Sequence, residues 1–164
     1  MKRIVTIIPV IFFILFTLEL SFTQTVKGRF ILVNDDEDTI SIKIQLASAV
    51  DSIMLGNATF RFTYSDSCLA LEDAEYMFHK KKIKEKYFSS ITIPTKGVAS
   101  VNIAHKGGEG VSIKKEFTDL ITLKFRKATE CRQYEFIWIL VEIFEPASGN
   151  PIFTRYWEDL ILTE

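Results

Sequence analysis

From Val26 onward, apolar and polar residues alternate with a period of two through most of the chain. A half-buried strand imposes this pattern, because successive side chains leave opposite faces of the pleat. In Thr39 to Leu46, the residues Ile40, Ile42, Ile44 and Leu46 share one face, and Thr39, Ser41, Lys43 and Gln45 share the other. Ala58 to Tyr64 repeats the pattern, with Phe60, Phe62 and Tyr64 opposite Thr59, Arg61 and Thr63. Further strands are predicted at Val26–Val33, Phe88–Ile93, Ser100–Ala104, Leu120–Arg126, Ile152–Tyr156 and Trp157–Leu162. Phe136 to Phe144 is apolar on both faces apart from Glu142, which predicts a central strand.

Turn residues separate these runs: Asn34-Asp35-Asp36-Glu37-Asp38, Leu55-Gly56-Asn57, Gly107-Gly108-Glu109-Gly110 and Ser148-Gly149-Asn150-Pro151. Helical periodicity is weak, and Ser67 to Tyr76 holds at most a turn or two. Eight or nine short strands with no helices between them predict an all-β fold, an antiparallel jelly-roll or Ig-like sandwich of about nine strands.

The first residues carry a different pattern. Lys2 and Arg3 precede an apolar run from Ile4 to Leu18, interrupted by Thr6, Pro9 and Thr17 and closed by Glu19. The run is shorter than the roughly 20 residues that span a bilayer. Ser21 and Thr23 are small enough for a signal-peptidase site. Residues 1–23 therefore read as a signal peptide and 24–164 as one exported domain, with an uncleaved anchor as the alternative.

Composition narrows the function classes. A chain of 164 residues fits one domain, and 48% hydrophobic with 13% aromatic residues excludes disorder. A net charge of −1 gives no overall field toward nucleic acid. Two cysteines exclude an all-cysteine zinc site within one chain. No nucleophile elbow, zinc-protease, P-loop or dinucleotide motif occurs, so the reading is of a protein that is not an enzyme. A small secreted hydrolase with two converging acids is the weakest alternative.

With these strands in place, the chain resembles a family. LGNATFRFTYSDSCLAL at Leu55 is similar to the strand-and-turn signature of cohesin-like domains of secreted bacterial proteins, including cargo of the type IX secretion system. EYMFHKKK at Glu75, YFSSITIP at Tyr87, ASVNIAHKGGEG at Ala99, FTDLITLKFR at Phe117 and FIWILVEIFEPASGNPI at Phe136 follow in the family's order. The likeness covers about Val26 to Leu162. It implies a nine-stranded jelly roll related to carbohydrate-binding modules. It also implies a secreted or cell-envelope adhesion module that engages a dockerin-like protein or a polysaccharide; the alternative is a carbohydrate-binding domain proper, associated with polysaccharide breakdown.

Individual residues then divide into candidates. Sugar-binding sandwiches expose flat aromatic rows, and Tyr76, Tyr87, Tyr156 and Trp157 are the candidate ligand contacts. Tyr156 and Trp157 are adjacent, so in a regular strand they face opposite sides. Trp138, flanked by Phe136 and Leu140, reads as core. Asp35, Asp36 and Asp38 offer oxygen ligands for calcium, against the reading of a solvated turn. The lysines at 80, 81, 82, 84 and 86 could meet anionic headgroups or an acidic polysaccharide, against the reading of a solvated loop. Cys68 and Cys131 each follow a strand and are candidates for a disulfide in an oxidising compartment.

Overall fold

The computed structural model describes residues 25–76, 86–128 and 133–163. The proposed signal peptide, most of the lysine-rich segment, His79 and Cys131 lie outside them. Among the described residues there are twelve strands and no α-helix. They are β1 (Thr25–Asp35), β2 (Thr39–Ser48), β3 (Ser52–Leu55), β4 (Ala58–Tyr64), β5 (Leu69–Tyr76) and β6 (Tyr87–Thr95). The second half supplies β7 (Val98–His105), β8 (Val111–Lys114), β9 (Thr118–Lys127), β10 (Gln133–Phe144), β11 (Pro151–Glu158) and β12 (Leu160–Thr163).

Hydrogen bonding runs β5-β9-β2-β1-β11-β10-β4-β7-β6, with β12 also on β10, and β3 and β8 form a separate ribbon. The path folds over at β11, whose start pairs with β10 and whose body pairs with β1. It therefore makes a back layer of β5, β9, β2 and β1 and a front layer of β6, β7, β4 and β10. The inward apolar rows meet between the layers. Phe30 of β1 packs edge-on against Phe62 of β4, ring centroids 5.2 Å apart, and stacks on Trp138 of β10 at 4.0 Å. Tyr64 of β4 reaches Phe125 of β9 at 5.2 Å. Such aromatic pairs contribute beyond their buried area.

The all-β sandwich stands as the sequence pattern predicts, with differences of detail. One pair, β1 with β11, is parallel, because β11 leaves the front layer and runs alongside the first strand. The break near the chain end falls at Asp159, not between Tyr156 and Trp157. At that place β11 spends two residues where β1 spends one, between Val26/Thr154 and Gly28/Trp157. This bulge holds Tyr156 in the left-handed region, at φ 61°. Ser67 to Tyr76 is mostly the edge strand β5, whose alternation is thrown out of phase by an irregularity at Glu72 opposite β9.

Candidate functional site

The two layers present outer faces of opposite character. On the back layer, polar side chains bond to one another. Lys43 Nζ lies 2.7 Å from Asp119 Oδ2, Gln45 Nε2 donates to Asp119 Oδ1 at 2.6 Å, and Arg29 Nε donates to Gln45 Oε1 at 2.9 Å. The Arg29 guanidinium also covers the Phe117 ring at 3.8 Å. Burial alone would raise the Asp119 pKa, but the hydrogen bonds from Lys43 and Gln45 and the Lys43 charge hold it below the usual carboxylate range. The groups of this network satisfy one another.

The front layer is different. Register with β4 sends Ile137 and Leu140 outward beside Thr63 and Arg61, while Phe136, Trp138 and Val141 point inward with Tyr64, Phe62 and Phe60. Ile139 is the extra residue of a bulge in β10 and is 51% exposed. Ile161 of β12, opposite Glu135, is 58% exposed. At the far edge, Phe88 of β6 is 67% exposed, with the Lys106 ammonium 3.7 Å above its ring. Between these lie Thr59, Arg61 and Thr63 of β4 and Ser100 and Asn102 of β7. Arg61 Nε is buried and has no hydrogen-bond partner among the described residues. Clustered exposed apolar side chains on a sheet face mark an interaction surface more often than chance.

Sequence reading reached part of this face. Thr59, Arg61 and Thr63 are outward as the alternation requires. β10 is central within its sheet, as predicted, but a two-layer sandwich covers only one face of a strand, so the apolar residues of its other face lie open. Apolar residues on both faces were the available signal for an exposed patch.

The aromatic candidates do not assemble. Tyr76 and Tyr87 are core residues, not loop-border platforms. The Tyr87 hydroxyl donates to the Leu55 carbonyl at 2.5 Å and accepts from the Val111 amide at 2.7 Å, tying β6 to the β3–β8 ribbon. Trp157 packs inward against Trp138, centroids 5.0 Å apart, and Trp138 donates from Nε1 to the Glu158 carbonyl at 3.0 Å. Tyr156 alone of the four is open, 76% exposed, so they form no coplanar exposed pair for a sugar.

The acidic turn also disperses. Asp35 pairs with Lys127, and Asp36 Oδ2 accepts from Asn34 Nδ2 at 2.5 Å. Among the described residues, no group of three or more metal-ligating side chains converges. Lys86, the described member of the basic run, donates to the Glu109 carbonyl at 3.1 Å. A groove of about 500 Å³ opens between the edge strands β5 and β6. Of its acids, Glu72 faces Arg126 at 3.6 Å and Asp73 accepts from the Ala74 amide at 2.8 Å. Among the described residues no cysteine is free. The Cys68 carbonyl accepts from the Ala128 amide at 2.8 Å, placing Cys68 beside the chain that leads to Cys131. No described helix is long and apolar enough to cross a membrane.

No family model and no curated protein matches this sequence. Solved structures do match in three dimensions. The CaCohA2 cohesin of Clostridium acetobutylicum, solved with a dockerin, aligns at TM-score 0.68 and 14% identity over 84% of this chain and 98% of that one. The seventh ScaB type I cohesin from Pseudobacteroides cellulosolvens aligns at TM-score 0.65 and 14% identity, covering 84% of this chain and 90% of that one. The OlpA cohesin of Clostridium thermocellum, in complex with the dockerin Doc918, aligns at TM-score 0.66 and 10% identity, covering 85% and 98%. The chain has a cohesin-like fold.

Proposed function

We propose that this protein is an exported, non-catalytic binding module that holds a second protein on the outer face of the β6–β7–β4–β10 layer. A dockerin-type module is the partner class to which its structural neighbours point, since several of them were solved with dockerins bound. One observation carries the reading. On the back face Lys43, Gln45, Asp119 and Arg29 bond to one another, whereas the front face leaves Ile137, Ile139, Leu140 and Ile161 open on one side of Arg61, whose Nε has no partner among the described residues. Protein interfaces combine such apolar centres with arginine and a polar rim. Export rests on the leader-like start of the chain and on the cysteine pair.

Photo-crosslinking in the source cells tests the proposal. The crosslinker p-benzoylphenylalanine replaces Thr63 on the front face or Thr122 on the back face. The Thr63 position is expected to capture a distinct envelope or extracellular protein, and the Thr122 position none. Capture from Thr122 alone, or of polysaccharide alone, would overturn the reading.

A further inference from the structure

We infer that Arg61 is the specificity-determining residue of this face and that the docking polypeptide carries a carboxylate to meet it; the inference rests on the docking face proposed above. Arg61 sits at the middle of β4, directly across from Leu140 on one side and Ser100 on the other. Its neighbours are apolar on the β10 side and polar on the others, Ser100 of β7 across from it and Thr59 and Thr63 along β4. Leu140 is exposed beside it, and Ile139 bulges outward from the same strand. Arg61 Nε is shielded from water yet donates to nothing among the described residues, a condition that native structures seldom leave unexplained.

The acids on the same face do not reach it. Glu142 lies across from Thr59, two pairs further along. Glu135 lies beyond Ile137 and accepts from Gln133 Nε2 at 2.5 Å. On the back layer the same residue type has internal partners: Arg29 Nε bonds Gln45, and its guanidinium covers Phe117. Arg61 Nε has no such partner among the described residues, and the half-buried side chain is left for a group from outside to complete.

A carboxylate fits best. The guanidinium offers a planar fork that a carboxylate meets with two parallel bonds. When the partner covers Ile137, Ile139 and Leu140, water leaves the pair and the attraction strengthens. Glu142 sets the opposite sign two pairs away, so the partner's acid is steered to Arg61 and a neutral or basic residue to Glu142. This combination, an arginine between an exposed apolar row and a polar rim, has the composition of a binding hot spot.

The test selects binders from a phage-displayed library of randomised helical hairpins on the full chain. The binders are then measured on Arg61→Met, Arg61→Lys, Arg61→Glu and Ile137→Glu chains, each checked for an unchanged melting curve. Arg61→Met keeps the unbranched stem and its packing, and Arg61→Lys keeps the charge without the fork. The expected binders weaken on Ile137→Glu and share an Asp or Glu at one position. They lose about tenfold or more in affinity on Arg61→Met and recover part of it on Arg61→Lys. Selection on Arg61→Glu should enrich Lys or Arg at the same position. Binders that weaken on Ile137→Glu but ignore Arg61→Met and share no acid would overturn the role of Arg61 while leaving the docking face in place. Binders indifferent to Ile137→Glu would overturn both.

Discussion

A glycine lies beneath the Trp157 ring: a Cβ built on Gly28 runs into that ring's benzo edge. The close approach lets Trp157 reach Trp138 and Phe60 across the core. Gly28→Ala should destabilise the fold by about 1–3 kcal/mol through overpacking. Pairing it with Trp157→Leu should cost less than the sum of the two changes, as coupled sites do. Additive losses in urea unfolding would contradict the contact. Tyr76 makes a second residue-scale prediction. Burial pushes its hydroxyl up to about 12 from an ordinary value of 10.0. The folded chain thus holds this proton more tightly than the unfolded chain, so the contribution is complete below pH 10 and declines as pH rises from 10 toward 12. Tyr64 and Tyr87 are shifted the same way by burial. In urea midpoints taken across that range, Tyr76→Phe should flatten the alkaline decline without abolishing it. An unchanged decline would contradict the assignment.

Among the strands, β4 carries the clearest link between sequence and packing. Phe60 and Phe62 are fully buried, and Thr59 and Thr63 face out. Phe62→Ala should cost about 3–5 kcal/mol and Thr63→Ala under about 1 kcal/mol. Equal losses would mean that the register is slipped by one residue, which exchanges the faces. Strands with unbroken alternation, such as β2 and β4, were legible from sequence. Elements that escaped did so for local reasons. β3 and β8 are four residues each, too short for a period to show. In β5 the irregularity at Glu72 shifts the phase midway. The proposed docking face escaped in part because alternation reports which side of a strand is apolar, not whether a second layer covers it. For the same reason Tyr76 and Tyr87, next to a charged segment in sequence, turn out to line the core.

For the molecule as a whole, two claims can be measured. The proposed Cys68–Cys131 bridge would join the end of the β4–β5 turn to the chain beyond β9. It is supported by the bond that sets Cys68 against Ala128. Closing a loop of this length constrains the unfolded chain by roughly 4 kcal/mol. Non-reducing peptide mapping of the protein isolated from its source cells should recover the two cysteines as one linked peptide, and alkylation of both would contradict the bridge. In the proposed function the front layer, not the back, receives a protein. Methyl-labelled chain titrated with the partner captured by crosslinking tests it most directly. Shifts are expected at the Ile137, Ile139, Leu140 and Ile161 methyls on the front, and none at Ile31, which faces outward on the back opposite Lys43. A shifted Ile31 with the four front methyls unmoved would contradict it.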